Sequence, residues 1–171
     1  MEKSGFNKFC DYLEQITLYL AAAILVVMLL VAWVHVIRRY IFNNALSWSE
    51  EFLRYALIWF AALSASILHK RRGHLGITIF REMMPKGLQH VLERIIPYLA
   101  VLVMTLGTVF GLQLTVNNAS QITPALRVSI AFPYAALPLS FFLMTIYSVK
   151  HIIDDATGYQ DAGIAPKEDE P

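Results

Sequence analysis

The chain is poor in charge. Asp, Glu, Lys and Arg together make up 16% of its 171 residues, against 57% hydrophobic residues. The few charges are gathered in clusters, and long stretches carry none. A soluble domain of this length scatters charge over every helix, so the segregation argues for a bilayer. Cysteine is nearly absent: Cys10 stands alone, which removes an internal disulfide framework and any cysteine metal motif. It reads as a free thiol, buried or cytosolic. The net charge is only +1 and no basic face of size exists, so nucleic acid is not an expected partner. H-E-x-x-H and G-x-S-x-G are both missing, and no nucleophile–base pair stands out. Neither an enzyme nor a cofactor is expected.

What is present is four long apolar runs, at about 16–37, 48–68, 95–116 and 130–149. Each is long enough to cross roughly 30 Å of hydrocarbon as a helix. The expected fold is an all-α membrane protein with four transmembrane helices in one domain, 1–153. A polar, disordered tail is expected over 154–171. The first run continues straight into Arg38 and Arg39, so it reads as a retained helix and not as a secretory signal. Before it, Phe6, Phe9, Tyr12 and Leu13 recur at helical spacing, as in an amphipathic turn or two lying on the membrane surface. A second such segment, 75–84, reads either as a short interfacial helix or as a loop packed on the bundle. Gly107 and Gly111 form G-x-x-x-G, a close-packing signature. Pro133 and Pro138 predict a kink in the last span.

The stretch from Arg38 to Trp59 concentrates the polar chemistry. It carries Arg38, Arg39, Glu50, Glu51 and Arg54 between two apolar runs. Ser47 and Glu50 have the spacing of a capping box, which predicts a helix start at Ser47. Glu50 and Arg54 are four apart in the favourable acid-first order. Trp48, Phe52, Tyr55 and Trp59 share one helical face and form an interfacial aromatic strip. Three readings stand side by side for these charges: interfacial anchoring with local pairing, contact with a partner protein, or direct substrate binding. With four spans the termini share a side. That side carries ten of the Lys and Arg residues and the other four, which places both termini in the cytoplasm.

No formal charge falls in the middle of any span. A lone transporter needs a polar mid-membrane site, and a proton relay needs ionisable groups there. Both are therefore disfavoured. The histidines (35, 69, 74, 90 and 151) lie mostly near span ends. His35 keeps a second reading open, a haem-binding anchor subunit of a respiratory oxidoreductase.

The order of motifs resembles the small membrane subunit of tripartite ATP-independent periplasmic (TRAP) transporters. The motifs are Arg39-Tyr40 with Phe42; Ser47 to Arg54 followed by Tyr55 and Trp59; His74, Gly76 and Ile77; Thr123 to Leu126; and Pro138. Two departures stand out: Ser64 where glycine is common, and Arg127-Val128-Ser129 in place of a Gly-hydrophobic-Pro turn. The resemblance implies a four-span subunit of a bacterial inner-membrane complex with no transport site of its own. It implies a large M-type membrane subunit that carries substrate and sodium by an elevator motion. It further implies a periplasmic binding protein that delivers an organic acid, of the C4-dicarboxylate or sialic acid class. Arg38, Arg39, Trp48, Glu50, Glu51, Arg54, Tyr55, Trp59 and Arg127 are then candidates for the partner interface, beside membrane lipids.

Overall fold

Apolar runs of this length form helices because a backbone in lipid must satisfy its own amides and carbonyls. The computed structural model describes residues 5–44, 46–71 and 86–157. They form α1 (Gly5–Tyr40), α2 (Ser47–Lys70), α3 (Lys86–Asn117), α4 (Ala131–Tyr134) and α5 (Ala136–Thr157). Four segments are long and apolar enough to cross a membrane: Gly5–Tyr40, Ser47–Lys70, Ile95–Asn117 and Ala131–Asp154. The segment 75–84, most of the proposed tail, and the family-like residues His74, Gly76 and Ile77 lie outside the described residues.

Two expectations are revised, and the proline kink is found. The N-terminal segment does not form a separate surface helix but opens the 36-residue α1. Asn7, Cys10, Thr17 and Ala21 are buried at heptad-like spacing on one face of α1; of the apolar stripe, Phe6 packs against the buried cluster while Phe9 and Tyr12 are exposed. The capping box is not formed either. Leu46 is the N-cap, no side chain caps the helix, and Glu50 turns towards Arg39 and His35, 3.9 Å away in both cases. Ser49 donates its hydroxyl to Leu46 O at 2.7 Å, which leaves the capping role unfilled. In the last span the two prolines, which lack amides, produce an interruption at Ala135 between α4 and α5.

The main contacts run in the order α1–α2–α5–α3, and α1 also touches α5. Between α1, α2 and α5 lies an apolar cluster of Cys10, Ala21, Leu63, Leu143 and Tyr147, flanked by Phe6, Ile24, Trp59, Phe60 and Ile146. The edge helix α3 packs on α5 and α4, and G-x-x-x-G supplies the contact. A Cβ on Gly107 would sit 2.9 Å from the Phe141 ring, and one on Gly111 would sit 3.2 Å from Pro138. Such proximity is what small residues allow.

Candidate partner interface

The chain has two polar ends. At the end opposite the termini, Glu51 stands in the first turns of α2 and is buried. Its carboxylate accepts the Tyr55 hydroxyl at 2.7 Å and the backbone amides of Ala125 and Leu126 at 2.8 and 2.9 Å. One side chain thus pins the connection between α3 and α4. That connection is folded on itself. Ile122 and Ser129 form an antiparallel bridge, Thr123 N donates to Val128 O at 2.9 Å, and Val128 N donates to Thr123 Oγ1 at 3.1 Å. Trp59 fastens its far side. The indole N–H donates to Phe132 O at 3.2 Å, and the Trp59 and Phe132 rings lie 5.6 Å apart.

The turn holds Arg127 at φ 54°, in the left-handed region that costs a side-chain-bearing residue about 1–2 kcal/mol. This is the position where the family-like pattern carries glycine. Arg127→Gly should therefore raise stability by about 1 kcal/mol, offset in part by the freer unfolded chain. A detergent melt showing a lower midpoint for the glycine variant would contradict this.

The remaining candidates divide by exposure. Arg39 and Glu50 are 56% and 63% exposed and meet at 3.9 Å, a surface pair that contributes little. Glu50 pairs with Arg39 and not with Arg54 as its spacing predicts. Arg54 and Arg127 are exposed, and Trp48 stacks edge-on against Phe52 at 6.3 Å. Arg38 is half-buried, with its Nε enclosed and without a hydrogen-bond partner. His35 is buried beneath this group, its Nδ1 2.5 Å from Ser49 Oγ. The Ser49 hydrogen is committed to Leu46 O, so Nδ1 carries the imidazole hydrogen and donates it.

The second polar end, beside the termini, is not among the sequence-derived candidates. Lys70 is 5% exposed at its side chain and meets Asp11 Oδ1 and Glu14 Oε2, each at 2.7 Å. It also donates to Cys10 O at 3.1 Å and lies 5.8 Å from the centre of the Tyr147 ring. Arg71 holds the other Glu14 oxygen at 2.6 Å. Asn7 donates to Asp154 at 3.2 Å, tying α1 to α5. His69 and Ser148 meet at 2.7 Å, and His151 packs edge-on against His69. The sequence signal was faint: Asp11 and Glu14 one turn apart, and Lys150 and Asp154 four apart. His35 and His69 fall at opposite ends of the molecule, so they do not form the facing pair that a haem would need. Among the described residues no group of three metal-ligating side chains comes together.

The family model described as "Tripartite ATP-independent periplasmic transporters, DctQ component" matches residues 27–158. The chain is 26% identical over 152 residues to a Haemophilus influenzae protein described as a TRAP transporter small permease protein, covering 86% of this chain and 92% of that one. It is 26% identical over 157 residues to the Vibrio cholerae sialic acid TRAP transporter small permease protein SiaQ, covering 90% and 87%. A 24% identical match to the Haemophilus influenzae sialic acid TRAP transporter permease protein SiaT covers 78% of this chain and 22% of that protein.

Proposed function

Since the chain belongs to the DctQ component family of tripartite ATP-independent periplasmic transporters, we propose that it is the small scaffold subunit of a sodium-driven importer of an organic acid. It stands beside a large M-type membrane subunit that carries substrate and sodium by an elevator motion. The observation behind this reading is where the ionisable groups lie. Among the described residues they gather at the two ends of the helix bundle, while the packed middle is built from residues such as Ala21, Leu63 and Leu143. A bundle with no charged interior offers cargo no binding site, so the cargo crosses through another polypeptide.

Both termini lie in the cytoplasm on this reading, and the end carrying Arg39, Glu50, Arg54 and Arg127 faces outward. There it helps to seat the periplasmic binding protein. Glu51, Tyr55 and Trp59 act one step back, by holding the loop that displays Arg127. Relatives named for sialic acid and for C4-dicarboxylate keep both substrate classes in view. The test is reconstitution of the cognate large subunit and binding protein in liposomes, with and without this chain. Sodium-dependent uptake should need all three proteins. Full uptake without this chain removes the obligatory scaffold role.

A further inference from the structure

Two shallow hollows open on the same flank of the bundle, where the end of α1 meets the start of α2. One holds about 180 Å³ and is lined by Leu30, Val31, Val34, Leu46 and Trp48. The other holds about 390 Å³ and is lined by Arg38, Phe42 and Asn44. They are in line. Leu30, Val34 and Arg38 succeed one another at four-residue steps on one stripe of α1, so the second hollow begins about one turn, roughly 5 Å, beyond the first. Leu30 to Arg38 spans about 12 Å along the axis, close to the roughly 15 Å of hydrocarbon in one leaflet.

The chemistry changes along this line as it does along a phospholipid. The inner hollow is aliphatic, closed on one side by Trp48, a residue type that favours the headgroup level. The outer hollow presents a guanidinium. The acid nearest in sequence, Glu50, meets Arg39 and His35, while Arg38 makes no ion pair among the described residues and its enclosed Nε has no acceptor. The chain folds back over the site, with Asn44 N donating to Arg38 O at 3.1 Å and Asn43 at φ 46°.

We infer that this flank is a binding site for one anionic glycerophospholipid, an acyl chain lying along Leu30, Val31 and Val34 and the phosphodiester accepting from Arg38. The apolar floor calls for hydrocarbon, and the half-buried Arg38 guanidinium, with no ion pair among the described residues, calls for an anionic oxygen at its end. A charge-assisted contact of this kind is among the stronger hydrogen bonds available to arginine. The inference rests on the chain spanning a membrane and is independent of the scaffold reading.

The test uses the full chain, with its large subunit where the two co-purify, in nanodiscs of either phosphatidylglycerol or phosphatidylcholine. Retained lipid is counted by native mass spectrometry after detergent exchange. One phosphatidylglycerol per chain should be retained, and phosphatidylcholine should be lost. Arg38→Gln, which removes the charge at similar size, and Val34→Trp, which fills the groove, should each lower retention by about fivefold or more. Arg54→Gln serves as the control and should leave retention unchanged. Equal retention of the two lipids, wild-type retention by Arg38→Gln, an equal loss in Arg54→Gln, or no lipid retained at all would each overturn the site.

Discussion

Lys70→Met lowers the unfolding midpoint of the purified chain by about 6–12 °C. The figure follows from about 3 kcal/mol lost when one partner of a buried ion pair is removed, at about 2–4 °C per kcal/mol for a chain of this length. The ammonium is 5% exposed at its side chain and serves two carboxylates. Its loss leaves both without their buried partner, although Arg71 still holds one Glu14 oxygen. The low end of the 3–5 kcal/mol range for such losses applies, because Asp11 is 34% exposed and water screens it. Two companion variants locate the cause. Arg71→Met should change little, since Arg71 is 47% exposed. Replacing Lys70, Asp11 and Glu14 together by apolar residues should recover most of the loss, since no buried charge is then stranded. A Lys70→Met melt that overlays the wild type would show that the network does not hold α1 in place.

The second large effect is at Gly111. A Cβ there already stands 3.2 Å from Cβ, Cδ and N of Pro138, and the proline ring and backbone cannot swing aside. Gly111→Ala sets this crowding against a helix-propensity gain of about 1 kcal/mol, so its net effect is small. Gly111→Leu adds three further carbons with no space to receive them, and overpacking of this order costs up to about 3 kcal/mol. Because α3 packs chiefly on α4 and α5 among the described helices, little else keeps it in register. Denaturation by sodium dodecyl sulfate, followed by circular dichroism, should show a clear fall in the midpoint for Gly111→Leu and almost none for Gly111→Ala. Equal midpoints for all three proteins would mean that the glycine pair does not set the α3–α5 approach.

The same residues show what could be read from the chain unaided. Four membrane-spanning helices follow from charge-free length alone. G-x-x-x-G announced a close neighbour but could not say that Phe141 and Pro138 supply it. The glycine-like site at Arg127 was visible as a departure from a family pattern, and its left-handed backbone gives the physical reason for glycine there. Glu51 was legible as an interfacial charge, and its actual task was not. Two of its donors are backbone amides 74 and 75 positions away, and amides leave no mark in a sequence. The N-terminal stripe misled as well. Its apolar residues Phe9 and Tyr12 stay exposed, and the polar Asn7, Asp11 and Glu14 are the ones that meet the neighbouring helices.

The outlying place of α3 has a consequence of its own. A closed ring of four helices encloses a lumen that can widen or narrow, whereas here α3 stands outside the cluster shared by α1, α2 and α5. Gly111 is the only buried residue of α3 between Ile95 and Asn117, so nearly all of that outer post is left to whatever stands next to it.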